Sequence, residues 1–151
     1  SKPMAQWLNG LGMDDSQVAK TIVKFPQLMG SYSFEDTLKP RAQWLKGLGM
    51  NVSQVAKTIV KFPQLMGSYS FEDNLKPRVQ CLKGLGMNDS QVAKTIMKFP
   101  SLMGCSLEGN LQPRVEWLKE LGMGDSQVAK TMTSSPQLMG FSLEENLKPM
   151  V

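Results

Sequence analysis

Residues 38–67 read LKPRAQWLKGLGMNVSQVAKTIVKFPQLMG, a stretch with two helical patterns that are separated by glycines and closed by a proline. The first pattern runs from about Leu38 to Leu48, and at about 100° per residue its apolar residues fall in one arc. That arc contains Leu38, Ala42, Trp44, Leu45 and Leu48. Pro40 stands near the start, where a missing amide hydrogen is tolerated, while Gly47 and Gly49 favour an end. The pattern predicts a first amphipathic helix.

The second pattern opens with Asn51 as a helix cap and Gln54 three residues later, the spacing of a capping box. One side of the predicted helix is apolar, with Val52, Val55, Ala56, Ile59, Val60 and Phe62, and the other is polar, with Gln54, Lys57, Thr58 and Lys61. The helix must stop before Pro63, because proline restricts the residue that precedes it. Residues 63–67 then predict a short 3₁₀ turn that packs Leu65 and Met66 inward.

Both patterns recur along the chain with a period of 36 or 37 residues, marked by two series of prolines. The first series is Pro3, Pro40, Pro77, Pro113 and Pro149, and the second is Pro26, Pro63, Pro100 and Pro136. A unit of two amphipathic helices buries its apolar faces only by stacking on its neighbours, so this period predicts an all-α helical solenoid. We expect one array over residues 1–151, with units at about 3–39, 40–76, 77–112 and 113–148 and a fifth starting at 149.

The ends of the chain fall at the same point of the repeat, near Pro3 and Pro149. We therefore expect the sequence to be a piece of a longer array. Neither end has a polar capping repeat, so apolar end faces and self-association through them are expected.

Composition argues against catalysis. The chain has no histidine, and Cys81 and Cys105 stand where other units have aromatic residues, which favours small buried thiols over a disulfide. Paired acids recur at helix starts, as in Ser33-Phe34-Glu35-Asp36, where complementing the helix dipole is favoured over metal or acid–base chemistry. The sequence predicts no catalytic residue, metal or cofactor, and no apolar run reaches the roughly 20 residues of a membrane span.

Basic residues number 17 against 13 acidic ones, and all 17 occupy five positions of the repeat. The rows are Lys20, Lys57, Lys94 and Lys130; Lys24, Lys61 and Lys98; Lys46, Lys83 and Lys119; Lys2, Lys39, Lys76 and Lys148; and Arg41, Arg78 and Arg114. From charge alone, the favoured interpretation is the solvated face of a duplicated helix. Stacking raises the alternative, because it repeats each lysine at about the 10 Å width of a helix and makes a positive stripe that fits a polyanion.

The first three of these rows are the candidate nucleic-acid-binding residues: Lys20, Lys24, Lys46, Lys57, Lys61, Lys83, Lys94, Lys98, Lys119 and Lys130. The arginine row has a different predicted role, because Arg41 lies inside the apolar arc of the first helix. We expect its guanidinium to pair with Glu35, Asp36 or a helix-end carbonyl, with phosphate contact as the alternative. Tryptophans at helical spacing indicate core positions rather than base-stacking platforms, and Tyr32 and Tyr69 are weaker stacking candidates.

Three strings resemble the repeat of the mitochondrial transcription termination factor (mTERF) family: SLEENLKP at 142–149, LQPRVEWLKELG at 111–122 and FPQLM at 62–66. The resemblance covers the whole chain, four times over. It implies two antiparallel helices and a short 3₁₀ helix per repeat, in a solenoid, right- or left-handed, with a basic groove. It also implies a non-enzymatic protein of mitochondria or chloroplasts that acts in transcription termination or gene-expression regulation.

The ligand that the resemblance implies is nucleic acid, double-stranded DNA first and RNA second. Because the units are nearly identical, they present identical side chains, and we expect contacts to the backbone rather than a sequence code. The alternative is a helical-repeat scaffold that binds protein partners, for which a groove lined by some of the 12 methionines would be the sign.

Overall fold

A computed structural model describes residues 2–30, 32–135 and 138, which form α-helices joined by short 3₁₀ and π-helical turns. The chain divides into two compact units, Ser1–Ser70 and Phe71–Val151. The α-helices of the first unit are α1 (Lys2–Gly10), α2 (Asp15–Lys24), α3 (Lys39–Gly47) and α4 (Val52–Lys61); those of the second are α5 (Lys76–Gly84), α6 (Asp89–Lys98), α7 (Gln112–Glu120) and α8 (Asp125–Ser134). The predicted all-α class is confirmed. In this described part, no helix has the length and apolar character needed to cross a membrane.

The turn between the two helices of a repeat depends on one glycine. Gly49 has a φ of +110°, in the left-handed region, and its N–H donates to the carbonyl of Lys46 at 2.9 Å. The next N–H, of Met50, donates to the carbonyl of Leu45 at 3.3 Å. These two bonds form a Schellman motif, which satisfies the last carbonyls of α3. The same left-handed glycine recurs as Gly12, Gly86 and Gly122.

The start of each second helix is capped as predicted. In α4 the Gln54 N–H donates to Asn51 Oδ1 at 2.8 Å, and the Asn51 N–H donates to Gln54 Oε1 at 2.9 Å. Equivalent reciprocal pairs begin α2 and α6, at Asp14 with Gln17 and at Asn88 with Gln91. Gly124 has no side chain, so the start of α8 keeps only the bond from its N–H to Gln127 Oε1.

The start of the first helix differs from the expectation in one respect. Ser33 Oγ accepts a hydrogen bond from the Asp36 N–H at 3.1 Å, as the capping signature predicted, but the turn that follows, Phe34–Leu38, is π-helical. Similar turns, Phe71–Leu75 and Leu107–Leu111, precede the first helices of the second unit. Each ends two residues before a proline, and the wider turn relieves the contact between the proline ring and the carbonyl four residues earlier.

The core confirms most of the predicted apolar positions. Leu38, Leu45 and Ile59 are fully buried, and the 3₁₀ helix Pro63–Met66 carries Leu65 and Met66 inward. Two assignments to the faces of α4 were wrong: Val52 is exposed and Thr58 is buried. Thr58 Oγ1 donates to the carbonyl of Gln54 at 2.8 Å, so its hydroxyl needs no water.

Candidate nucleic-acid interface

The first lysine row lies on the second helix of every repeat. Its four members are exposed, and none forms a hydrogen bond or an ion pair with another described residue: Lys20 on α2, Lys57 on α4, Lys94 on α6 and Lys130 on α8. Within each unit the two second helices pack together, α2 on α4 and α6 on α8. Packed helices lie about 8–10 Å apart, so each unit offers two neighbouring ammonium groups to solvent.

The second row lies one turn later on three of the same helices. Lys24, Lys61 and Lys98 are exposed at the ends of α2, α4 and α6. Lys24 Nζ donates to the carbonyl of Val60 at 3.2 Å and so reaches across to the neighbouring helix. A lysine near a helix C-terminus also complements the helix dipole. This row therefore has a structural contact in addition to its exposed charge.

The third row is engaged in ion pairs where an acid is present. Lys83 Nζ lies 2.7 Å from Asp89 Oδ1, and Lys119 Nζ lies 2.8 Å from Asp125 Oδ1. The hydrogen bond that Lys119 donates to Asp125, with the charge of that carboxylate, raises the pKa of Lys119 above its ordinary value. Lys46 has Val52 at the position of the acid and forms no ion pair within the described residues.

The fourth row pairs with the acids of the π-helical turns. Lys39 Nζ lies 3.7 Å from Glu35 Oε2, and Lys76 Nζ lies 3.5 Å from Glu72 Oε2, both at an i, i+4 spacing. The lysine side chains are about half exposed and the glutamate side chains are 70% exposed, so each pair adds little stability. The pairs nevertheless neutralise charge on the first helices, and the unpaired lysines of the first row lie on the second helices.

The arginine row is structural, as predicted. Arg41 Nη1 donates to the carbonyl of Leu65 at 3.1 Å, and Arg78 Nε donates to the carbonyl of Cys105 at 2.6 Å. Arg114 Nη1 donates to the carbonyl of Leu138 at 3.2 Å. The guanidinium groups of Arg41 and Arg78 thus tie their first helices to the backbone at or just after the 3₁₀ turn of the same repeat. The predicted pairing with a carbonyl is confirmed, and the alternative acid partners, Glu35 and Asp36, do not contact Arg41 in the described structure.

Aromatic side chains pack on one another within the protein, as three pairs of rings show. Trp7 packs edge to face on Phe34, with ring centroids 5.2 Å apart. Tyr32 stacks on Phe25 and Tyr69 stacks on Phe62, at 5.7 and 6.2 Å. The tryptophans were predicted to be core residues, and the structure places them half-buried at the margin of the core.

The methionines of the described residues are buried or half-buried. Buried members include Met13, Met50, Met66, Met87 and Met103. The groove of exposed methionines that would indicate a protein-binding scaffold is therefore absent from residues 2–30, 32–135 and 138. Nor do three or more potential metal-ligating side chains cluster anywhere in that part of the chain.

Sequence reasoning identified the rows but not which of them have partners inside the protein. The i, i+4 spacing of Glu35 and Lys39 was a signal for the fourth row. The pair of Lys83 with Asp89 joins two helices across a glycine turn, and no helical period predicts it.

The comparisons with known proteins agree with the repeat pattern: a family model described as mTERF matches residues 5–151. A search of curated proteins found no match.

Proposed function

The chain belongs to the mTERF family, and we propose that it grips the phosphate backbone of a nucleic acid with the lysines of its second helices. Proteins of this family are helical-repeat, nucleic-acid-binding proteins of organellar gene expression and are in general not enzymes. The first candidate ligand is double-stranded DNA, and the second is RNA. The proposed role is transcription termination or regulation of gene expression in a mitochondrion or chloroplast.

The observation that carries this proposal is the first lysine row. Lys20, Lys57, Lys94 and Lys130 recur once per repeat, are exposed, and have no partner among the described residues. An ammonium group that is not neutralised by the protein displaces cations condensed on the phosphates of the nucleic acid, and the release of those cations is a main source of backbone affinity. The other rows support the ligand less directly, because Lys83 and Lys119 are paired with acids.

The mode of binding follows from the near-identity of the repeats. Each second helix offers the lysine of the first row at the same helical position, so successive repeats make the same contact. Contacts of this kind fix the position of a backbone but carry no base sequence. We propose that residues 1–151 form a single array whose affinity depends on the number of phosphates reached and not on their sequence.

The alternative function, a scaffold for protein partners, has less support. Its expected sign was an apolar groove lined by methionine, and every described methionine is buried or half-buried. The rows of exposed lysine suit an anionic ligand better than an apolar one.

The proposal is tested by measuring the binding of duplex DNA, duplex RNA and single strands by fluorescence anisotropy at several salt concentrations. Lys20, Lys57, Lys94 and Lys130 are replaced together by glutamine. We expect weaker binding to every sequence, and on duplex DNA a salt slope that is reduced by about 0.9 for each phosphate that the variant no longer neutralises.

The matched control replaces Lys39, Lys76, Lys83 and Lys119 together by glutamine, which removes the same charge from lysines that are paired with acids. This variant should bind more tightly than the first. Equal weakening would show a general effect of net charge, and unchanged binding by the first variant would refute the lysine grip.

A further inference from the structure

The outer face of α2 is apolar and open, although in the described part of later repeats four of its five positions are buried and the fifth, that of Val23, is half-buried. We define the α2 face as Ala19, Ile22, Val23, Pro26 and Met29. Val23 is 78% exposed, Ala19 and Pro26 are exposed, and the other two are half-buried. The equivalents in later repeats that are buried include Ala56, Ala93, Ala129, Ile59, Ile96, Pro63, Pro100, Met66 and Met103. The α2 face therefore has the residue types of a buried core surface, but its side chains are exposed or half-buried.

The first unit shows what covers this face inside the chain. Its α2 packs on α4, and Lys24 Nζ bonds to the carbonyl of Val60, the equivalent of Val23. The turn before α2 takes part as well. Gly10, Leu11, Gly12 and Gln17 line a cleft together with Val52, Ser53, Ala56 and Lys57 of α4. Within the first unit, the face of α4 is thus covered by the glycine turn and second helix of the preceding repeat.

The second unit repeats this arrangement with different side chains. Its α6 packs on α8, and Thr95 Oγ1 lies 3.3 Å from Thr133 Oγ1. Thr133 is the equivalent of Val23, and Thr95 is the equivalent of Thr21. The same register of second helix on second helix therefore occurs in both units.

The surface that does the covering is itself open on the last described repeat. We define the α8 face as Leu121, Met123, Gln127 and Thr131. Leu121 is 45% exposed, whereas its equivalents Leu11, Leu48 and Leu85 are buried. Met123 and Thr131 are half-buried, and their equivalents in the three earlier repeats are buried. One molecule thus carries both an uncovered face and a surface of the kind that covers it.

Charge at the two faces is complementary at one position. Gly10 and Lys57 line the internal cleft, and their equivalents at the open faces are Glu120 and Lys20, both exposed. Seated in the same register, Glu120 of one copy lies beside Lys20 of the next. Val52 also lines the internal cleft, and its equivalent on the α2 face is Asp15, which is the other charged residue at this contact. The junction then holds an acid–base contact that the internal junction lacks.

From these faces we propose that the chain binds a second copy of itself head to tail, with the α8 face of one copy on the α2 face of the other. The contact is heterologous, because two different surfaces meet, and it leaves one free face of each kind at the ends. Association in this register buries Leu121 and reduces the exposure of Val23, whose equivalents Val60 and Thr133 are half-buried. The proposal does not depend on nucleic-acid binding.

Sedimentation velocity over a hundredfold range of concentration, without nucleic acid, tests the proposal. The mass of the unaltered chain should rise with concentration. Val23→Glu blocks the α2 face and Leu121→Glu blocks the α8 face, and both side chains are exposed in the single chain, so each variant should fold and remain a monomer. Gln80→Glu, on the exposed side of α5, adds the same charge outside both faces and should associate as the unaltered chain does.

Mixing the two blocked variants gives the decisive result. A Val23→Glu chain keeps its α8 face and a Leu121→Glu chain keeps its α2 face, so an equimolar mixture should form dimers with one chain of each and nothing larger. A mixture that stays monomeric, a Val23→Glu chain that still associates alone, or an unaltered chain that is monomeric at every concentration would each overturn the proposal. Circular dichroism of each variant confirms that it is folded.

Discussion

Lys83 Nζ lies 2.7 Å from Asp89 Oδ1, and this ion pair joins the end of α5 to the start of α6. Lys119 and Asp125 make the same contact in the next repeat, at 2.8 Å. The acids have a second role, because a negative charge in the first turn complements the helix dipole. The pairs hold two lysines of the third row away from an external anion.

Removal of these acids is expected to strengthen nucleic-acid binding. The double variant Asp89→Asn with Asp125→Asn releases Lys83 and Lys119, and each lysine that then reaches a phosphate steepens the salt slope by about 0.9. Anisotropy titrations of one DNA duplex at two salt concentrations measure both quantities.

The matched control for this prediction is Asp15→Asn with Glu108→Gln. It changes the net charge by the same amount, and Asp15 occupies the repeat position of Asp89, but neither acid forms an ion pair within the described residues. The interpretation is contradicted if the control strengthens binding as much as the first variant does.

Gly67 is required by a neighbouring aromatic ring. A Cβ atom added there would lie 2.7 Å from Tyr32 Cε2, and the ring is held in place by stacking on Phe25. Gly67→Ala should lower the free energy of unfolding by about 1–3 kcal/mol, the usual cost of overpacking. Urea denaturation followed by circular dichroism measures the change.

The chain contains its own control for Gly67. Gly30 is the equivalent residue one repeat earlier, and no atom lies within 4 Å of a Cβ built on it. Gly30→Ala should leave stability nearly unchanged. Addition of Tyr32→Ala to Gly67→Ala should recover part of the stability, and strict additivity of the two substitutions would exclude the proposed clash.

The features that sequence predicted well depend on residues a few positions apart. The Asn51 and Gln54 capping box, the glycine turn at Gly49 and the stop before Pro63 were each confirmed. Local hydrogen bonds and fixed backbone angles decide such features, so a short spacing contains the needed information.

The features that sequence missed depend on contacts between elements. Thr58 was assigned to the polar face, but it is buried, and its hydroxyl lies 3.9 Å from Met50 Sδ in the turn before α4. The bond from that hydroxyl to the carbonyl of Gln54 satisfies its hydrogen-bonding capacity there. In the candidate site, sequence identified all five basic rows. It did not distinguish the paired Lys83 from the unpaired Lys57, because that difference depends on an acid across a turn.

Arg78 should contribute to stability and not to nucleic-acid binding. It is buried, and its guanidinium donates to the carbonyls of Cys105 and Asn74. Arg78→Met keeps an apolar stem but leaves those carbonyls without this donor, so the free energy of unfolding should fall by about 2–3 kcal/mol.

Lys76→Met, on the same helix, removes only an exposed ion pair and should cost less than about 1 kcal/mol. Duplex affinity of the folded Arg78→Met protein should equal that of the unaltered chain, and a large decrease in affinity would indicate phosphate contact instead.

The two cysteines should react slowly with alkylating agents. Burial is the main cause that raises the pKa of Cys81 and of Cys105 above the ordinary 9.0, and Cys105 Sγ also donates to the carbonyl of Leu102 at 3.0 Å. The thiolate is the reactive form, and a raised pKa leaves less of it at neutral pH. The rate of alkylation by iodoacetamide should therefore be lower in the folded chain than in urea at the same pH, and its rise with pH should be centred above 9.0. Mass spectrometry of Cys81→Ser and Cys105→Ser separates the two thiols. A thiol that reacts as fast in the folded chain as in urea is not protected by the burial that the structure assigns to it.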